Sequence, residues 1–260
     1  MPEYKYNNSN RGIRGAAKES AITGCKLSSG RVLSVQRNAL ESNEIIAKKN
    51  RAKFGRALVI NFLSSPGSGK TSLLECIAPV LKADGFKIAV IEGDVETDLD
   101  KKRIDALGVP AYQIITNGTC HLDAKMVNGS LDSLNIKDTD VIFIENVGNL
   151  VCPTSFNLGE DMKAVVLSVT EGDDKPLKYP AAFYKSKIMI INKIDLLPAL
   201  DSDISKIKEN ALSINKDLTI FETSCRKTAE AGISGLAAFI KDEIKRKTED
   251  FRKINYNTYF

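Results

Sequence analysis

The chain contains a single histidine, His121, and it directly follows a cysteine, Cys120, in "TNGTCHLDAKM". A third donor of similar kind, Cys152, stands downstream in "NLVCPTSFNLGE". Two sulfurs and one imidazole suit Zn²⁺ or Ni²⁺, with water or a second subunit completing the shell. A second group of residues is built for phosphate. In "SSPGSGKTSLLE" the backbone N–H groups of Gly67, Ser68, Gly69 and Lys70 can wrap an oligophosphate at the start of a helix. Lys70 adds its charge, Thr71 can hold Mg²⁺, and Ser72 follows in the same turn. The full P-loop pattern has glycine at position 64, where this chain has serine.

The base-reading chemistry lies far downstream in "NKID". Asp195 can accept the two adjacent N–H donors of a guanine edge, Asn192 can fix the loop and the purine N7, and the Lys193 stem can cover the ring. Adenine lacks the paired donors and would leave a carboxylate unsatisfied, which selects GTP and GDP and disfavours a small-molecule P-loop kinase. "ETSCRKT" supplies a further guanine-contacting loop through the Ser224–Cys225 backbone.

Between these loops stand two acidic segments with the character of nucleotide switches. In "IEGDVETD", Asp94 can contact Mg²⁺ through water or orient the attacking water, with Asp98 as a second candidate. In "IENVG", Glu145 takes the usual place of an aspartate near Mg²⁺, and the Gly148 N–H can sense a γ-phosphate. No glutamine follows Gly148 and no arginine finger is evident in the sequence. This predicts slow intrinsic hydrolysis, roughly 10⁻⁴ to 10⁻² s⁻¹ by analogy with unassisted GTPases.

Apolar runs at "ALVINFLS", "KIAVIEG", "DVIFIEN", "MKAVVLSVT", "KIMIINK" and "LTIFETS" alternate with helix-length segments. The alternation predicts an α/β fold, a doubly wound, mostly parallel P-loop NTPase sheet whose strand ends carry the loops above. Residues 1–30 read as a mobile polar arm, 31–55 as a lead-in helical segment, 56–249 as the GTPase domain and 250–260 as a C-terminal tail.

A net charge of +4, with much of the basic excess in "KDEIKRK", gives no case for nucleic acid. Five scattered cysteines, an odd number, do not resemble a disulfide framework and indicate a reduced, cytoplasmic setting. No apolar run approaches the ~18–20 residues of a membrane span, so a soluble protein is expected.

Taken in order, "SSPGSGKT", "EGDVETDLD", "CHLDA", "ENVGNLVCP", "SVTEGDDKPLKYP" and "NKIDLLP" resemble the hydrogenase nickel-incorporation GTPases, the HypB family, over roughly residues 30–245. The resemblance implies a G domain that forms a homodimer on GTP binding, with a metal site at the interface from Cys120, His121 and Cys152. It further implies delivery of Ni²⁺ to [NiFe]-hydrogenase large subunits with partner maturation accessory proteins. Lys175 in "EGDDKP" is a candidate for reaching the partner's nucleotide. Many members carry an N-terminal cysteine motif or histidine-rich stretch; this arm has only Cys25 and no histidine. The alternatives are a urease-accessory-type nickel GTPase, whose metal motif is typically Cys-Pro-His, and a GTP-gated interaction module with a structural zinc site.

Overall fold

The computed structural model describes residues 29–94, 99–134, 136–226, 228 and 231–258. Most of the expected arm, Cys25 and the candidate acid Asp98 lie outside the described residues. The first element, α1 (Ser29–Phe54), buries Asn43, Ala47, Asn50 and Phe54, a stripe at helical spacing that includes two asparagines. Then follow β1 (Leu58–Ser64), α2 (Lys70–Ala83), β2 (Ile88–Asp94), α3 (Leu99–Asp105), β3 (Ala111–Ile115), α4 (Ala124–Leu131) and β4 (Val141–Glu145). The second half comprises α5 (Cys152–Ser155), β5 (Met162–Ser168), α6 (Lys175–Lys178), α7 (Pro180–Tyr184), β6 (Ile188–Asn192), α8 (Ile204–Ile214), β7 (Thr219–Thr223) and α9 (Ile233–Thr258).

All pairings are parallel, and the seven strands lie in the order β3-β2-β4-β1-β5-β6-β7. Strand β1 is central because every residue of "LVINFLS" is buried, as a parallel strand covered on both faces requires. Leu58, Ile60 and Phe62 face a core shared with α2 and α9. Val59 faces a second cluster under α1 and α4, and Leu63 faces a third under α7 and α8. Between these two clusters β1 presents Asn61, fully buried.

Two features depart from the sequence reading. The sheet has a seventh strand, β3, from "AYQII", which is short, half-buried and at the edge, so it lacks the continuous apolar run that marks the inner strands. Residues 250–258, read as a tail, continue α9 without a break, since no Gly or Pro interrupts "DFRKINYNT".

Because the strands are all parallel, the C-terminal ends of β1, β2, β4 and β6 lie at one sheet edge, where ligands of doubly wound folds bind. All the site segments below leave from that edge.

Candidate functional site

The loop from β1 into α2 turns through Gly67 (φ 76°) and Gly69 (φ 95°), left-handed conformations that side chains rarely adopt. At Gly69 a Cβ would also come within 2.5 Å of Asn192 Nδ2. The loop is fastened to the end of β6: Asn192 Nδ2 donates to the Ser68 carbonyl at 3.0 Å and Lys193 Nζ to the Gly67 carbonyl at 2.6 Å. Asp195 accepts from Ser224 Oγ at 2.7 Å and lies 4.0 Å from Arg226 Nη1. The Cys225 thiol donates to Asn192 Oδ1 at 3.6 Å, so the "NKID" and "ETSC" segments form one loop cluster. Ser64, standing where the P-loop pattern has glycine, accepts a 2.7 Å hydrogen bond from Lys70 Nζ.

Lys70 and Thr71 open a cavity of about 510 Å³ that is also lined by Ser72, Asp94, Glu145 and Gly148. Thr71 Oγ1 donates to Glu145 Oε1 at 2.9 Å, and Lys70 Nζ lies 4.0 Å from the same oxygen. Two further acids, which sequence reasoning missed, complete the cluster: carboxylate oxygens of Glu92, Asp100 and Glu145 lie within 4.8 Å of one another. Glu92 Oε2 and Glu145 Oε2 are buried with no hydrogen-bond partner among the described residues. Burial, reinforced by the facing Glu145, pushes the Glu92 carboxyl up to about 11. Burial also raises Glu145, against the opposing pull of Lys70 and Thr71. Orphaned acid oxygens beside a threonine hydroxyl form a hard-oxygen set that fits Mg²⁺. The signal in the sequence is a charged residue inside the apolar run "KIAVIEG".

Arg103 also lines this cavity, but its guanidinium is engaged by Glu75 at 3.0 and 2.6 Å, Asp100 at 2.9 Å and Ser72 Oγ at 3.1 Å. Lys175 is not brought to the cavity; its Nζ lies 3.1 Å from Glu171 Oε2 and 4.8 Å from the centre of the Tyr179 ring.

Cys120 and His121 leave the loop between β3 and α4, while Cys152 opens α5 after β4. One ligand atom from each lies within 4.8 Å of the others. His121 stacks on Phe156, ring centres 4.0 Å apart, which fixes the imidazole plane. Burial lowers the His121 pKa, with Asp123 acting in the opposite sense, and so favours the neutral, ligating form. A hydrogen bond with the Cys120 sulfur, followed by burial, holds the Cys152 thiol above its usual range. Cation binding here must therefore release protons, and affinity must rise with pH.

The family model for the CobW/HypB/UreG nucleotide-binding domain matches residues 58–222. The hydrogenase maturation factor HypB of Escherichia coli (strain K12) is 49% identical over 196 residues, covering 75% of this chain and 67% of that protein. The chain belongs to the HypB family. HypB from Archaeoglobus fulgidus matches with a TM-score of 0.73 at 36% identity, covering 79% of this chain and 100% of that chain. HypB from Helicobacter pylori in complex with nickel matches with a TM-score of 0.72 at 40% identity, covering 81% of this chain and 97% of that chain. The HypB-type nucleotide-binding domain thus runs from β1 into β7, with α1 and α9 outside the matched span. Among the described residues no helix is long and apolar enough to cross a membrane.

Proposed function

We propose that this HypB-family chain is a GTP-hydrolysing nickel metallochaperone in which cargo binding is coupled to GTP-dependent homodimerisation. The observation that carries this reading is adjacency: Cys152 follows Gly148 by four residues, and its sulfur meets Cys120 and His121 beside the nucleotide cavity. The nickel complex of the H. pylori relative supports Ni²⁺ as cargo, and the soft Cys-His-Cys set also accepts Zn²⁺.

Motif and position together support the roles assigned to each residue. Gly67, Ser68, Gly69, Lys70, Thr71 and Ser72 hold the phosphates of GTP or GDP, and Asn192, Lys193, Asp195 and the Ser224–Cys225 backbone read guanine. Thr71, Asp94 and Glu145 hold Mg²⁺, which supplies charge neutralisation for phosphoryl transfer. Asp94 or Asp98 orients the attacking water, and Gly148 reports the γ-phosphate. Lys175 is free to exchange its Glu171 partner for a nucleotide on a second subunit. The cargo passes to a hydrogenase large subunit with accessory maturation proteins, in the cytoplasm. Without a glutamine after Gly148, and with Arg103 engaged by acids, turnover by the chain alone is slow.

The test is to titrate Ni²⁺ and Zn²⁺ into the parent and into Cys152→Ser with GDP or a non-hydrolysable GTP analogue, reading affinity and mass together. The parent should show about a 5- to 150-fold difference in affinity between nucleotide states, which the serine variant loses while still binding GTP. A parent whose metal affinity ignores the nucleotide would sink the coupling.

A further inference from the structure

Asn146 lies between Glu145 and Val147 in the switch segment and is buried. Its Oδ1 accepts two backbone N–H bonds: from Val147 in its own switch at 3.0 Å, and from Leu122, the residue after His121, at 3.1 Å. One side-chain oxygen therefore joins the backbone of the γ-phosphate switch to the backbone of the Cys120–His121 loop. Leu122 has little freedom to move otherwise, because its side chain lies against Gly93, where any Cβ would come within 2.8 to 2.9 Å of it.

The other end of Asn146 leads to the second ligand loop. Its Nδ2 donates to Asn61 Oδ1 at 3.2 Å, and Asn61 Nδ2 donates to Glu160 Oε1 at 3.4 Å. Glu160 in turn lies 3.5 Å from Lys163 Nζ, which donates to the carbonyls of Pro153, Thr154 and Phe156 just after Cys152. This chain of polar groups fills the seam that Asn61 opens between the two apolar clusters on one face of the sheet. Buried polar groups tied in series have few alternative partners, so displacement of one is passed to the next.

We propose that Asn146 is the positioning residue that transmits the nucleotide state to the metal ligands, moving the His121 loop directly and the Cys152 loop through Asn61. The inference rests on the coupled function proposed above and assigns that coupling to a residue on the wall of the nucleotide cavity whose side-chain oxygen is engaged by the His121 loop. A backbone shift at Gly148 on γ-phosphate binding moves Val147 and Asn146, and Leu122 must follow Oδ1 or lose its only described side-chain acceptor.

The experiment titrates Ni²⁺ into the full chain with GDP and with the GTP analogue, for the parent, Asn146→Ala and Asn146→Asp. Alanine removes the joint and should bring the ratio of the two affinities to within about twofold of unity, whereas aspartate keeps the acceptor for Leu122 and loses the Nδ2 donor to Asn61, so its ratio should fall between those of alanine and the parent. A merely structural role would weaken both affinities together and leave their ratio unchanged. A parent ratio of unity would refute the coupling itself, and this inference with it. A parent ratio above about fivefold that survives in Asn146→Ala would refute the inference alone. A second measurement does not depend on any variant folding. In the metal-free parent the loop should move with Oδ1, so the amide chemical shifts of Leu122 and His121 should differ between GDP and the GTP analogue, and unchanged shifts would overturn the assignment.

Discussion

Gly148→Ala should separate GTP from GDP. The added Cβ would sit 2.9 Å from both Cα and Cγ of Pro66 and 3.0 Å from its nitrogen. Carbon atoms prefer roughly 3.5–4.0 Å, so about 0.6 Å or more must be found. Pro66 is poorly placed to yield, because the next residue's carbonyl is held by Lys193. The switch therefore moves away from the phosphate loop. A displacement of about 0.6 Å takes an amide–phosphate bond from roughly 2.9 Å to the edge of useful hydrogen-bonding distance. A hydrogen bond to a charged group contributes about 1.5–3 kcal/mol, so GTP-analogue affinity should fall roughly 10- to 150-fold. GDP has no γ-phosphate and should bind much as in the parent. Fluorescent-nucleotide titrations measure both, and thermal unfolding with GDP bound checks for the overpacking cost of about 1–3 kcal/mol. Equal losses for the two nucleotides, or none, would refute the assignment of the Gly148 amide to the γ-phosphate.

Asp195→Asn should exchange guanine preference for xanthine, because the new amide donor meets the C2 carbonyl of xanthosine triphosphate where guanine offers an N–H. Competition between the two triphosphates measures it, and unchanged discrimination would remove "NKID" from base reading. Glu92→Gln should flatten the pH dependence of stability in the nucleotide-free protein. The parent carboxyl is raised from 4.5 to about 11 on folding, so its stabilisation is complete below the lower value and is lost as pH rises towards the upper one. The variant's thermal midpoint should match the parent's trend near about pH 4 and lie progressively above it towards about pH 9, whereas parallel profiles would show that folding does not shift the Glu92 carboxyl.

Much of the nucleotide site was legible because its parts are local. A phosphate loop is a strand, a tight turn and a helix in one run of residues, and "ALVINFLSSPGSGKTSLLE" states all of them. "KIMIINKID" likewise carries its strand and its loop together. The Cys120–His121 pair and Cys152 were visible as donors because cysteine and a lone histidine stand out by type, and βα alternation places both loops at one sheet edge. Glu92 was harder, since one acid in an apolar run looks like a loop-end residue until the strand is seen to bury it.

What the sequence determines by itself is thus what contiguous residues can encode: the alternation of elements, the glycine turn, the "NKID" tetrapeptide at a strand end and the donor types. Tertiary structure alone decides what depends on residues distant in the chain but close in space. Asn61, Asn146, Glu160 and Lys163 are unremarkable by type and spacing, and only strand order and register bring them into one buried seam. The same holds for the partly buried edge strand β3, for Phe156 against His121, and for Gly148 against Pro66. The physical reason is that periodicity and motif report which groups must be buried or turned, whereas the partner that satisfies a buried polar group is set by the packing of elements from other parts of the chain.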